Sequence, residues 1–299
     1  MNQTYLELLD PKFISKTSNL NIATRYILQG FMLGKHRSKF HGFSAEFSDR
    51  KPYVYGDNIR DIDWKLYGKT DRYFTKLYED ETNIYSYLFL DGSRSMQYLS
   101  KESVSKFRYA QYLAASIIRI MLSQNDSVAL GLYGNKIEKF IPHKSGISNL
   151  TLFLKELSLS DFIDERGSEN FYSSISDFIT KRGMIFIFSD FLQPVETILD
   201  KLKGLKKSGN DIILFMINDS SEIEYNLKPG HRVKDMETGK IIEINSSRLI
   251  ERYNEEFEAH RSKFREEAVS NEIDLIEIDT KTPFNIPLTE MVLLRGKRR

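Results

Sequence analysis

Cysteine is absent from the 299 residues, tryptophan occurs once and histidine only five times. Without cysteine there are no disulfides, thiolate zinc sites, iron–sulfur clusters or cysteine nucleophiles, which suits a reducing compartment. The histidines, at 36, 41, 143, 231 and 260, are too dispersed for a His-rich metal centre. An excess of either charge is missing as well: 43 Lys and Arg face 42 Asp and Glu, for a net charge of +1. Neither nucleic acid nor an anionic membrane is therefore called for as a partner. The longest apolar runs, Met184 to Phe188 and Ile212 to Ile217, fall far short of the roughly 20 residues of a bilayer span. The leading MNQTYLELLDPKF has no basic segment followed by an apolar one, as a signal peptide would. A cytoplasmic protein with no membrane span is expected. Motifs of hydrolysis are also lacking: there is no G-x-S-x-G, no H-E-x-x-H and no G-x-x-x-x-G-K-[ST].

What is present has the texture of a globular protein, 40% hydrophobic and 28% charged, enough for one large domain with a smaller attachment. Residues 1 to about 35 carry helical spacing, with Ile22, Tyr26, Ile27 and Phe31 on one stripe. From Gly42 to about Leu77 aromatics, charges and turn residues (Pro52, Gly56-Asp57, Gly68) predict hairpins. After residue 83 strands alternate with helices. Ile84 to Leu90 reads as a strand ending in Asp91, and apolar positions 104, 107, 110, 113, 114, 117, 118 and 121 predict an amphipathic helix over about 103–123. Ser127 to Tyr133 and Lys136 to Ile141 read as a hairpin turned at Gly134-Asn135. Helices at about 147–158 and 170–181 lead to the strands Met184–Phe188 and Ile212–Ile217. Pro194 marks a helix start between those strands and Gly209 its end. A hairpin over 232–244, a charged helix over 246–270, a strand over 273–278 and a helix near 287–294 follow. Continuous apolar strands separated by helices imply an α/β fold, a doubly wound and mostly parallel sheet with helices on both faces. The expected domains are an N-terminal helical and β-hairpin extension over 1–82 and an α/β domain over 83–299 with a hairpin insertion near 232–244.

In such a sheet ligands sit outside the carboxyl ends of the strands. One strand delivers Asp91, Ser93 and Ser95 there, and another delivers Ser189 and Asp190. Carboxylates and hydroxyls without nitrogen or sulfur suit a hard cation, Mg²⁺, Mn²⁺ or Ca²⁺. Arg94 lies inside the proposed loop and is a candidate for reaching an acidic partner. Asp57, Arg60, Asp61, Asp63 and Lys65, dense around Trp64, form either a partner surface or a buried brace anchored by Ile59, Ile62 and Trp64.

DGSRS after an apolar strand, with a second strand ending FIFSD, resembles the metal-ion-dependent adhesion site of von Willebrand factor A domains. The stretch EFSDRKPYVYGDNIRDIDWKLYGKTDRYFTKLYEDETNIYSYLFLDGSRSM resembles the signature of the domain-of-unknown-function-58 family, as do VKDMETGKIIEI and LIERYNEEFEAHRSKF. The resemblance runs from about residue 40 to the end. It implies a von Willebrand A-like fold with Asp91, Ser93, Ser95 and Asp190 in metal-site positions. It also implies a role as adaptor or chaperone-like partner of a MoxR-type AAA+ ATPase and its client. The adhesion-site pattern further uses a threonine between the two strands. The segment HKSGISNL offers Ser145 and Ser148 in its place.

Three readings follow from these residues. The first is a non-enzymatic binding protein that uses the metal to engage an acidic group. The second is a Mg-dependent phosphohydrolase or phosphotransferase with Asp91 as nucleophile, a chemistry that wants a carboxylate where Ser93 stands. The third is a scaffold whose metal loop is vestigial.

Overall fold

A computed structural model of the protein describes residues 10–17, 19–35, 50–54, 59, 62–76, 84–100, 104–160, 169–223, 232–234, 241–244 and 246–296. Compactness divides the chain into Lys39–Asn83 and a second unit that joins Met1–Ser38 to Ile84–Arg299. The leading helices, α1 (Pro11–Ser15) and α2 (Leu20–Lys35), thus go with the α/β unit rather than with the segment that follows them.

The smaller unit pairs β1 (Arg50–Pro52) antiparallel with β2 (Phe74–Lys76). Between them, where hairpins alone are expected, stands a helix, α3 (Trp64–Thr70). Its cause is local: the Asp63 side chain accepts the Leu66 amide hydrogen at 3.1 Å and caps the first turn. The helix ends on Asp71 in the left-handed conformation, φ 52°. Of the three apolar anchors of the brace alternative, two are open to solvent. Trp64 is 58% exposed and Ile59 62%, and only Ile62 is buried. Tyr67 stacks on Tyr73 at 4.5 Å.

The larger unit is built on six strands: β3 (Tyr85–Asp91), β4 (Ser127–Tyr133), β5 (Ile137–Ser145), β6 (Met184–Ser189), β7 (Asp211–Asn218) and β10 (Asp274–Asp279). They lie in the order β10-β7-β6-β3-β4-β5, all parallel except the antiparallel edge strand β5. Successive residues of a strand face opposite sides, and both sides here are covered. Tyr87, Phe89, Ile185, Ile187 and Leu214 meet a layer that includes α6 (Glu169–Ser174), α7 (Val195–Lys207) and α9 (Ser247–Ser270). The other face packs on α4 (Lys106–Ser123), which contacts β3, β4 and β7. Ala23, Ile27 and Phe31 of α2 are buried, and α2 packs on α4 and α5 (Leu150–Leu159). Tyr112 of α4 donates its hydroxyl hydrogen to the Thr17 carbonyl at 3.2 Å. The short helix α8 (Ser220–Ile223) leaves β7, and α10 (Asn285–Gly296) follows β10. The small hairpin β8 (Arg232–Lys234) and β9 (Ile241–Glu243) pairs antiparallel. Among the described residues no helix is long and apolar enough to cross a membrane.

Candidate functional site

The chain runs β3-β4-β5 to one side of the sheet and β6-β7-β10 to the other, so the order reverses between β3 and β6. Crevices form at such a point. Asp91 ends β3 and Ser189 ends β6, and the parallel pairing of Leu90 with Phe188 brings the two ends level.

Asp91 is fully buried. Its Oδ1 accepts the Ser93 amide hydrogen at 2.8 Å, and its Oδ2 accepts the Ser189 hydroxyl hydrogen at 2.6 Å. Gly92 donates its amide hydrogen to the Tyr133 carbonyl at 2.7 Å, which pins the start of the loop to β4. A single 3-10 turn, Arg94–Gln97, then brings Ser95 back so that its Oγ lies 3.2 Å from that of Ser93. Ser189 does not cap a helix: its hydroxyl accepts the Phe191 amide hydrogen at 3.1 Å while serving Asp91, and α7 begins after Pro194.

Asp190 is buried and lopsided in its bonding. Its Oδ2 accepts from the Lys106 ammonium at 2.8 Å, while its Oδ1 has no hydrogen-bond partner. The next residue, Phe191, holds a left-handed backbone at φ 50° with its side chain in the core. Strain of this kind persists only where the surroundings enforce it. Here the His260 ring of α9 sits 2.8 Å from the Phe191 carbonyl, and because a carbonyl only accepts, Nε2 carries the hydrogen.

Burial, and then the neighbouring Asp190 charge, push the Asp91 carboxyl up to about 7, against the opposing pull of the Ser189 and Ser93 hydrogen bonds. Tyr133 and Tyr172 are raised well above the ordinary phenol value, by burial first and by the Asp91 charge second. Neither hydroxyl makes a hydrogen bond of ordinary geometry. Removing a buried hydroxyl of that kind leaves no partner orphaned, so Tyr172→Phe is expected to be neutral or to stabilise by up to about 1 kcal/mol. A loss of more than that in urea unfolding would show that the hydroxyl is bonded in solution.

Asp91, Ser93 and Ser95 thus lie on one loop and Asp190 on the neighbouring strand end, with Arg94 half-buried in the intervening turn. Ser145 and Ser148 do not lie there. Ser145 pairs with Ser127, which is level with Tyr85 at the other end of β3 from Asp91. Six residues of strand put it roughly 20 Å away, and Ser148 lies in the turn Ile147–Asn149 just beyond. The reason is the direction of β5: an antiparallel edge strand carries its end back to the amino edge. Asp57 and Arg60 lie outside the described residues.

Lys106 and Glu222 were not singled out by the sequence, yet both belong here. Ser105 caps α4, its hydroxyl accepting the Arg108 amide hydrogen at 3.2 Å, so Lys106 opens the first turn above the carboxyl edge. Its ammonium bridges Asp190 and Glu222, at 2.8 Å from each. Glu222 is raised by burial more than the Lys106 charge lowers it. One signal of a polar edge was available: four parallel strands have aspartate as their last residue or the one after it, at Leu90-Asp91, Ser189-Asp190, Asn218-Asp219 and Ile278-Asp279. Asp219 is held by the Ser221 amide and hydroxyl at 2.9 and 2.7 Å and by the Thr280 hydroxyl at 3.3 Å. Among the described residues no group of three or more His, Asp or Glu is arranged to hold a metal ion. The donors available to a hard cation are two carboxylates and two serine hydroxyls. At the rim Leu99 and Leu192, on the loops leaving the Asp91 turn and Asp190, are 58% and 45% exposed.

A doubly wound sheet of this order, with an antiparallel edge and a D-x-S-x-S loop at its switch point, defines a von Willebrand A-like domain. The model of the family described as "Protein of unknown function DUF58" matches residues 49–263, and the chain belongs to that family. No curated protein matches the chain. Similar solved structures include a conserved hypothetical protein BatB from Bacteroides thetaiotaomicron, 14% identical over 72% of this chain and 98% of that one, with a TM-score of 0.46. An aerotolerance-related membrane protein from Bacteroides fragilis is 14% identical over 70% of this chain and 98% of its own, at 0.44. The RO (RSR) protein of Deinococcus radiodurans is 13% identical over 73% of this chain and 41% of its own, at 0.29. The fold assignment rests on strand order and register.

Proposed function

We propose that the chain is a non-enzymatic binding protein of the cytoplasm whose switch-point cluster takes a hard divalent cation and through it an acidic group of a partner protein. The partner class implied by the family resemblance is a MoxR-type AAA+ ATPase with its client. The observation that carries the reading is Asp190 Oδ1, a buried carboxylate oxygen without a donor, at the same switch point as Asp91. A buried acceptor needs a partner, and a cation satisfies one where no hydrogen is offered. The donor set agrees with this, since carboxylate and hydroxyl oxygens are what Mg²⁺ and Mn²⁺ prefer. When bound, the ion supplies an open coordination position for an incoming carboxylate. Asp91, Ser93, Ser95 and Asp190 would hold it, with Ser189 orienting Asp91 from behind. The exposed Leu99 and Leu192 supply apolar contact around that position, as the polar centre of a protein interface requires.

The nucleophile reading is weaker. Both oxygens of Asp91 are engaged, and the residue two positions on is Ser93 rather than a carboxylic acid. Isothermal titration with Mg²⁺ and Mn²⁺ is expected to give binding in the wild type that Asp91→Ala abolishes. Equal, negligible heat in both proteins would leave a scaffold with a vestigial loop. Phosphomonoester turnover that vanishes in Asp91→Asn would restore the enzyme.

A further inference from the structure

The carboxyl edge sets one ammonium between the carboxylates of Asp190 and Glu222, and the ammonium has no part in the metal reading. Lys106 is 0% exposed, and its Nζ lies 2.8 Å from Asp190 Oδ2 and 2.8 Å from Glu222 Oε1. An ammionium this dry persists only when it is paired. The pairing is unequal in the other direction, however. Asp190 keeps a second buried oxygen without a donor, and Asp91 lies close enough to Asp190 for the two to repel. A fourth carboxylate, Asp219, accepts from the Ser221 amide and hydroxyl and from the Thr280 hydroxyl. The ammonium therefore offsets only part of the negative charge. It is also fixed to α4 and cannot leave when a metal ion arrives.

We propose that Lys106 is a tethered counter-cation of the acidic edge. It permanently supplies part of the positive charge that the edge needs, so the domain folds without metal and binds a divalent ion more weakly than its carboxylates alone would. This rests on the metal reading above but can fail without it.

The test uses the full chain as wild type, Lys106→Met, Glu222→Gln, the Lys106→Met/Glu222→Gln pair and Asp91→Ala. Each is titrated with Mg²⁺ and Mn²⁺ and melted in chelator and in excess metal. Lys106→Met is expected to bind metal at least about tenfold more tightly, the scale of one partly buried charge acting over several ångströms. Its Tm, depressed in chelator, should recover on adding metal. Glu222→Gln is expected to bind more weakly. A lysine with a merely structural role moves both variants the same way. Weaker binding by Lys106→Met, or a thermal deficit equal with and without metal, overturns the proposal. Should Lys106→Met not fold, the paired variant decides: metal affinity near that of the wild type supports the proposal, and a loss of about tenfold or more overturns it. Wild-type binding that is lost in Asp91→Ala but unchanged in Lys106→Met overturns this proposal alone. No binding in any of the five overturns the metal reading as well.

Discussion

In chelator, Asp91→Asn is expected to stabilise the protein at pH 8 and to flatten the fall in stability that the wild type shows between about pH 4 and about pH 7. The Asp91 carboxyl is raised to about 7 in the fold, so the native state holds a proton that the unfolded chain releases. Stability linked to that proton is fully present below the unfolded value, is lost as pH rises through about 7, and is absent above it. The gap corresponds to a penalty on the order of 4 kcal/mol at pH 8 if Asp91 alone titrates. Asparagine removes the ionisation with little change in shape. Its amide oxygen keeps the Ser93 amide hydrogen, and its NH₂ meets the Ser189 hydroxyl, which can turn its own hydrogen away and accept. Urea unfolding of both proteins at pH 5 and pH 8 checks the claim. Parallel pH dependence in the two would assign the fall to another group. With Mg²⁺ present the advantage should reverse, because the ion needs the carboxylate that asparagine lacks.

Gly183→Ala should be as damaging, for a reason unrelated to charge. A Cβ at Gly183 would lie 2.1 Å from the Tyr85 carbonyl oxygen and 2.9 Å from Tyr85 Cβ. The first of those atoms is backbone of β3, so relief requires β3 and β6 to separate at the pair that forms the switch point. Gly183 is held from its other side, its amide donating to Asn210 Oδ1 at 2.9 Å and its carbonyl accepting from the Asp211 amide at 2.9 Å. A loss of about 3 kcal/mol or more is expected, seen as a Tm lower by roughly 6 °C or more. Gly204 in α7 is the control, because a Cβ there meets nothing within 4 Å. Gly204→Ala should instead gain about 0.5–1 kcal/mol from helix propensity. Similar Tm values for the two variants would contradict the packing at Tyr85.

The strands of the larger unit were legible because burial on both faces leaves continuous apolar runs such as Met184–Phe188, and the hairpin turned at Gly134-Asn135 was legible from its turn residues. The helix over Trp64–Thr70 was not, because its aromatics mimic strand composition and the deciding feature is one cap at Asp63. The expected helix over 170–181 is shorter, ending at Ser174 and continuing as the 3-10 turn Ile175–Phe178. Within the site, Asp91, Ser93, Ser95 and Asp190 were legible because each lies at or just past a strand end. Ser145 misled because β5, expected to end at Ile141, continues antiparallel to Ser145 and carries it to the amino edge of the sheet. Lys106 escaped notice because it falls beside the apolar positions 104 and 107, where a lysine reads as solvent-facing. Only the fold brings Asp190 and Glu222, 84 and 116 positions away, to its ammonium.

The grouping of Met1–Ser38 with Ile84–Arg299 bears on how the polypeptide is made. During synthesis α2 emerges well before α4, the helix against which Ala23, Ile27 and Phe31 become buried. The whole of Lys39–Asn83 and then β3 must leave the ribosome first. Through that interval the apolar residues of α2 have no α4 to pack against and stand open to water or to a chaperone. Docking of α2 is therefore a late event of high sequence separation, and a pause in translation ahead of residue 106 would prolong the exposure.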